Sequence, residues 1–329
     1  MKNYIDLLYK LCTCIAPSGY EDSVRNSIVD AINNEHVEIQ VDAIGNLIIS
    51  LRGNTTNAKN IALLAHMDSA SLIIEGCRNN AFYLGSLSSW KKKNLNRESI
   101  TFLSGNQAEV FCNDDHYDKN RFEIMVKDKK KEELQVGDVG TLTPRFGFEN
   151  DKICGTFLDD RVGCLCLIKI INELNNSENN LYFIFTAQEE IGNKGAKSIQ
   201  KHYDFDEAIV IDTTVCNEDN SSQKVFINFD AGPTCKLCDG SGLCSNSVFK
   251  ELVSIAETRK IKFQKEILTY AGSDILAFSE NGSNCKFGAV SIPCKYMHSS
   301  HEEISFEDLN GAHNLIRAYL EAKNAKFLY

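Results

Sequence analysis

From Asp159 onward the chain alternates between two hydrophobic periods, and this alternation constrains the fold more than any other feature. Apolar residues at helical spacing predict helices over 162–174, 194–200, 245–259 and 306–322, with a short one opening at Asp274. Between them lie strand-like runs at 181–186, 208–212, 263–267 and 286–292. Strand, helix and strand in succession lay the strands parallel, with helices covering the sheet. Ahead of this region stand an amphipathic helix carrying Ile5, Leu8, Cys12 and Ile15, a second over 21–32, and strands at 37–41, 46–51 and 61–66. Gly45-Asn46 turns the chain between the first two strands. The expected class is α/β, with a mostly parallel sheet flanked by helices.

The texture changes between about 70 and 153. Short β-type runs at 71–75, 108–112, 121–126 and 139–143 replace helical periodicity, separated by Gly and Asn and by lysine clusters at 91–93 and 129–131. A length of 329 residues suits two domains. We expect residues 1–69 and 154–329 to form one, with 70–153 inserted as a small β-rich second.

Charge narrows the partners. Lys and Arg number 35 against 45 Asp and Glu, a net charge of −10, which disfavours nucleic acid and anionic membrane surfaces. The longest apolar runs, 61–65 and 181–185, fall far short of the roughly 20 residues of a membrane span. Asp6 and Lys10 interrupt the first apolar stretch, so it reads as a helix, not an export signal. Thirteen cysteines without such a signal fit free thiols and a cytoplasmic location.

In open α/β sheets chemistry gathers where strands end. The run at 61–65 leads into His66-Met67-Asp68, and Leu158-Asp159-Asp160-Arg161 precedes the helix at Val162. The strand at 181–185 runs into Gln188-Glu189-Glu190-Ile191-Gly192, the next ends at Asp212, and 289–292 runs out to Met297-His298-Ser299. Singly, each has a plain structural explanation. Asp159-Asp160 could cap a helix, and Glu189-Glu190 could favour a helix dipole. Together they deliver two histidines and several carboxylates with no lysine among them. A pair of divalent ions explains that set, since imidazole and carboxylate suit zinc, cobalt and manganese. Two ions about 3.5–4 Å apart need one shared carboxylate, with a histidine and a further carboxylate each. One acid is then left over beside the site, as a general base requires.

These residues resemble the TET-type co-catalytic metallo-aminopeptidases, a group including glutamyl and deblocking aminopeptidases whose members have often been labelled endoglucanases. The resemblance extends to Ser18-Gly19-x-Glu21, Asp42-x-x-Gly45-Asn46, Gly232-Pro233 and Gly272-Ser273-Asp274, and so covers nearly the whole chain. It implies that Asp159 bridges two ions, that His66 and Asp212 complete one, and that Glu190 and His298 complete the other. It also implies Glu189 as general base and Asp68 as the residue orienting His66. The implied fold is an exopeptidase domain with an inserted β-barrel dimerisation domain. The implied assembly is a homo-oligomer of dimers, up to a hollow dodecamer that trims short peptides.

Several positions depart from the usual pattern of that group. Ser69-Ala70-Ser71 stands where Glu-Ile-Gly is common, Ser300 where a proline follows, and Lys295 where arginine is frequent. Ala271 and Ser273 vary a Gly-Gly-Thr-Asp segment, and none of these changes removes a ligand or the base. Cys235-x-x-Cys238 with Cys244 lacks a fourth ligand at finger-like spacing and reads as structural thiols, as do Cys164 and Cys166. The charge run at 127–133 reads as a solvated turn. His301 reads as a neighbour of the motif histidine, and His36, His116, His202 and His313 belong to no constellation. The expected activity is release of N-terminal residues from peptides. A deacylase on the same metal centre and a catalytically idle assembly protein are the alternatives. A glycosidase is disfavoured, because it needs two flanking carboxylates and no metal pair.

Overall fold

The computed structural model describes residues 2–78, 81–112, 122–126, 134–217, 225–280 and 284–328. His116 and the charge run at 127–133 lie outside the described residues. Helices α1 (Lys2–Thr13) and α2 (Asp22–Ala31) lead into β1 (Glu38–Val41), β2 (Leu47–Leu51) and β3 (Asn60–His66). Then come β4 (Leu72–Arg78), β5 (Ala81–Ser86), α3 (Lys92–Leu95), β6 (Ser99–Phe102), β7 (Gln107–Phe111), β8 (Phe122–Val126) and β9 (Val139–Leu142). A hairpin of β10 (Phe146–Glu149) and β11 (Lys152–Gly155) precedes α4 (Leu158–Glu173), β12 (Leu174–Ser177), β13 (Asn180–Thr186), α5 (Lys194–His202) and β14 (Glu207–Val215). The remainder holds β15 (Thr234–Asp239), β16 (Gly242–Leu243), α6 (Asn246–Arg259), β17 (Gln264–Ile267), α7 (Ile275–Ser279), β18 (Lys286–Lys295), β19 (Glu302–Ser305), α8 (Phe306–Ala322) and β20 (Ala325–Phe327).

The main sheet runs β1-β2-β13-β3-β14-β18-β19-β11-β10. The expectation of a mostly parallel sheet needs correction, because parallel pairing is confined to the centre and to β15 with β17, which branch off it. Strands β13, β3, β14 and β18 lie parallel, while β1, β2, β19, β11 and β10 pair antiparallel. Connection length explains β1–β2 and β10–β11, since tight turns permit only antiparallel neighbours, whereas parallel ones need a long crossover. Asp42 Oδ1 makes one such turn by accepting the N–H groups of Ile44, Gly45 and Asn46, with Gly45 at φ +103°. Asn150 and Asp151, at φ +52° and +58°, make the other.

The pleat sends alternate residues of the central strands to opposite faces. Ile61, Leu63 and Ala65 of β3 pack with α1, α4 and α8, and Ala62 and Leu64 pack with α5 and α7. Burial on both faces is why these strands read as continuous apolar runs. The intervening strands close a separate antiparallel barrel in the order β4-β5-β8-β7-β6-β9. Its interior is filled by Leu72, Ile74, Leu84, Ile100, Phe102 and Val110, with Phe157 entering from the returning chain. The β10–β11 hairpin already belongs to the main sheet, so the barrel strands end at Leu142. Among the described residues no helix is long and apolar enough to cross a membrane.

Arg161, fully buried at the start of α4, ties these parts together. Its guanidinium donates to the carbonyls of Leu11, Met67 and Asp68 and to Ser69 Oγ, joining α1 to the loop after β3. Arg161→Met strands those acceptors and is expected to cost about 3 kcal/mol in denaturant unfolding. Arg161→Lys should recover only part of this loss, because one ammonium cannot span the same fork. Unchanged stability in Arg161→Met would refute the role.

Candidate metal centre

The expected site residues meet over the C-terminal ends of the parallel strands. His66 closes β3, Asp212 lies in β14, and the loops after β13 and β18 carry Glu189, Glu190 and His298. Asp159 and Asp160 sit at the entry to α4 with non-helical dihedrals and a cis peptide bond between them. Asp160 Oδ1 accepts the Gly163 N–H at 3.0 Å and caps the helix, which frees its neighbour to face the cleft.

The carboxylate of Asp159 divides between two histidines. Oδ1 lies 3.1 Å from His66 Nε2, and Oδ2 lies 3.4 Å from His298 Nε2. Asp212 Oδ1 stands 3.8 Å from His66 Nε2, and Glu190 Oε1 stands 3.3 Å from His298 Nε2. Two donor groups result, His66–Asp159–Asp212 and Asp159–Glu190–His298, each with its donor atoms within 4.8 Å of one another. Glu189 belongs to neither. Its Oε1 takes the amide of Asn193 at 2.8 Å, and Asn193 also donates to Asp274, which accepts from Thr186 Oγ1.

Burial and neighbouring charges settle the protons. Burial raises the Glu189 carboxyl well above the ordinary range, with Asp274, Asp212 and Glu190 adding to the shift and His66 opposing it. Burial and then Asp159 raise Asp212 in the same way. For Asp159 itself, burial is outweighed by hydrogen bonds with His298 and His66, which hold its carboxyl far below the usual range. Burial also disfavours both imidazolium ions, yet Asp159 and Asp68 raise His66 well above its ordinary value. Glu190 and Asp159 do the same for His298. The donor set fits two cations. Three acids converge without a Lys or Arg among the donors, and buried Glu190 Oε1 has only the 3.3 Å approach of His298 Nε2 to answer its charge among the described residues.

The surrounding contacts account for the other motifs. Asp68 stands 3.5 Å from His66 Nδ1, and it accepts Ser18 Oγ and the N–H groups of Glu189 and Glu190. Burial works against its charge, but His66, Ser18 and the Glu189 N–H bring its carboxyl below the ordinary value. Glu21 takes the Gln188 N–H, and Asn46 bridges Asp42, the Ala187 N–H and the Gly195 carbonyl. Gly195 has no room for a side chain, since a Cβ would stand 2.3 Å from both Ala187 O and Asn46 Oδ1. Gly232-Pro233 lies away from this network, where Gly232 donates to Asp308.

Gln188, Asn193 and His298, in the loops that bear these groups, all adopt φ of +56°. Such conformations cost about 1–3 kcal/mol each and persist where the surroundings over-determine them.

Sequence reasoning missed Glu302. Its Oε2 accepts the N–H of Leu158 and Asp159 and its Oε1 that of His298, so one acid holds both sides of the centre. Burial and the Asp159 charge push its carboxyl up to about 8. Nothing in the period around it distinguishes it from other acids, and only its four-residue distance from His298 was available as a signal. Lys236 was missed too. It is buried in the cleft wall, 3.6 Å from Glu266 Oε1 and 3.9 Å from Asp239 Oδ2. His301 leans on Tyr296, His202 on the Ser198 carbonyl and His313 on Glu173, so none joins a donor group. Among the described residues no cysteine forms a disulfide, and Cys235, Cys238 and Cys244 form no donor group.

A cleft of about 560 Å³ opens over the two groups, walled by Trp90, Thr213, Leu268, Tyr270 and Met297. A larger one of about 680 Å³ lies at the opposite end of the strands, around Lys59, Asp206 and Lys286. It lacks any such convergence, and ligands of α/β sheets bind at the strands' carboxyl ends.

Residues 45–315 match the family described as M42 glutamyl aminopeptidase. A protein of Acetivibrio thermocellus named as an aminopeptidase is 29% identical over 325 residues, spanning 96% of this chain and 98% of that one. An aminopeptidase from the archaeon Desulfurococcus kamchatkensis superposes with a TM-score of 0.89 at 26% identity, over 98% of this chain and 96% of that one. The TET1 peptidase of Pyrococcus horikoshii, described as able to assemble into a tetrahedron or a large octahedral shell, gives 0.82 at 28% identity, over 96% and 99%.

The nitrogens that a cation would take are the ones that Asp159 and Glu190 make more basic. Cation uptake must therefore displace protons, and affinity should rise with pH through the neutral range. Calorimetric titration with zinc at pH 7, in buffers of different ionisation enthalpy, should register proton release. Identical heats in all buffers would contradict this electrostatic reading.

Proposed function

The chain belongs to the M42 glutamyl aminopeptidase family, and from that premise we propose a dinuclear metal-dependent aminopeptidase that releases N-terminal residues from short peptides. It is a peptidase, a hydrolase of peptide bonds. The observation that carries the finer reading is the division of Asp159 between His66 and His298, with Glu189 held alongside by Asn193. In this reading His66, Asp159 and Asp212 hold one divalent ion, and Asp159, Glu190 and His298 hold the second. Zinc is the first choice, with cobalt or manganese also suited to these donors.

Bound there, the ions supply Lewis-acid polarisation of a scissile carbonyl and make water acidic enough to attack near neutral pH. Glu189 is the general base. Its Oε1 is occupied by Asn193, so Oε2 takes the proton of the attacking water and returns it to the leaving amine. The raised affinity of this carboxyl for protons suits both transfers. Asp68 orients His66 through Nδ1, and by accepting two consecutive N–H groups it also sets the positions of Glu189 and Glu190.

We further propose residues 1–69 with 154–329 as the catalytic domain and 70–153 as an inserted dimerisation domain. A dimer would then be the building block of a homo-oligomer, up to a dodecamer, in the cytoplasm. Support comes from the closed barrel and from the assemblies described for the TET1 peptidase. Deacylation on the same centre remains the second activity to test, because the donors would serve it equally.

The deciding experiment strips the enzyme of metal, restores zinc, cobalt or manganese, and compares peptides with free and acetylated N-termini. Metal-dependent release of the first residue from free peptides alone is the expected outcome. Cleavage of the blocked set would favour a deacylase, and silence on both with two ions bound would favour an idle protein. Glu189→Gln should keep both ions and lose about 10²–10⁴-fold in turnover. His298→Ala should lose one ion and most activity, and unchanged ion content would move the assignment to His301.

A further inference from the structure

The two donor groups are held by different parts of the chain. His66 is almost sealed, with 3% of its side chain exposed, and its supports come from the main sheet and α4. His298 is 19% exposed and sits on a loop where Tyr296 and His298 both have positive φ. From the main sheet, Glu302 accepts the His298 N–H. The His298 ring also faces Asp159 and Glu190, and further contacts on this loop come from the segment between β5 and β6 and from Arg145. His298 Nδ1 lies 2.6 Å from the Ser89 carbonyl, and Asn94 Nδ2 donates to the His298 carbonyl at 3.0 Å. The Trp90 ring lies against the imidazole, with centroids 5.9 Å apart. Two residues on, Ser300 Oγ donates to Glu98 Oε1 at 2.7 Å and receives Arg145 Nη1, while Arg145 Nη2 pairs with Glu98 Oε2 at 3.0 Å.

The segment making these contacts is itself pinned. Trp90 Nε1 and the Leu87 N–H both donate to the Ser71 carbonyl, and the Arg97 N–H donates to Val110. A carbonyl 2.6 Å from Nδ1 can only accept, so Nδ1 carries a proton and Nε2 is the nitrogen turned toward Asp159 and Glu190. Among the described residues nothing comparable reaches His66 from the barrel.

We propose that residues 86–98, between β5 and β6, form a strap that positions His298 and sets the affinity of the Asp159–Glu190–His298 group for its ion, independently of the other group. Ser89, Asn94, Glu98 and Ser300 are positioning residues in this arrangement, and Trp90 is the wall that keeps the imidazole upright. Ser300, which stands where the related pattern has a proline, supplies a hydroxyl that a proline could not. The strap gives the barrel a direct hold on one ion only. This inference rests on the two-ion reading of the centre.

The test is stepwise binding of cobalt(II) or zinc(II) to the metal-stripped full-length protein, followed by calorimetry and, for cobalt, by visible absorption. His298→Ala and Asp212→Asn serve as references that identify each step. Asn94→Ala and Ser300→Ala are expected to weaken the step lost in His298→Ala by about 10–100-fold, leaving the other within about twofold. Ser300→Thr keeps the hydroxyl and should restore it. Trp90→Ala should act in the same direction if it folds, and thermal melts of Asn94→Ala keep the test independent of that variant. Equal weakening of both steps would reduce the strap to general support and overturn the proposal, as would wild-type affinities in Asn94→Ala. A wild-type protein that takes a single ion would instead sink the two-ion reading, and the proposal with it.

Discussion

The arrangement of the cleft depends on one carboxylate that faces two imidazoles. Asp159 presents an oxygen to His66 and the other to His298, and both donor groups are built outward from it. Bringing Asp159, Asp212, Glu189 and Glu190 together in a largely buried space is unfavourable on its own, since each desolvated charge costs several kcal/mol. The site answers that cost with oriented partners. Two N–H groups and Ser18 address Asp68, three N–H groups address Glu302, and Asn193 addresses Glu189. Cations are the remaining compensation that this donor set is shaped to receive.

Rigidity follows from how these partners are connected. Asp68 and Glu302 take backbone N–H groups, so they position loops as well as side chains. Asp68 couples the end of β3 to the loop after β13, and Glu302 couples the entry of α4 to the loop after β18. Arg161 closes the circuit from below by holding the carbonyls of Met67 and Asp68 against α1. Positive φ at Gln188, Asn193 and His298 is tolerated because this network leaves those residues no alternative. Preorganisation of this kind keeps Glu189 and Glu190 in place within the cleft.

The barrel is more than an appendage to the sheet. Its strands have their own core, yet the segment between β5 and β6 reaches back and seats the loop of His298. Phe157, two residues ahead of Asp159, is buried in the barrel core. The loop of His298 thus leans on both parts.

Much of this was legible in the amino-acid sequence because periodicity and residue type are local properties. Apolar period marked the central strands and their helices, and the change of texture near residue 70 marked the barrel strands. His66, Asp159, Glu189, Glu190, Asp212 and His298 stood out because each follows a strand or precedes a helix, where side chains reach the cleft. Beyond the β1–β2 hairpin marked by Gly45-Asn46, the antiparallel flanks were not legible, since strand direction depends on which partner a strand finds. Glu302, Lys236 and the strap were hidden for a related reason. Their roles consist of hydrogen bonds and charges across 4 to more than 200 residues of chain, and no local pattern encodes those distances. Donor chemistry was thus decided by the sequence itself. How the two donor groups are seated, and which parts of the chain hold each, was decided only when the loops packed against one another.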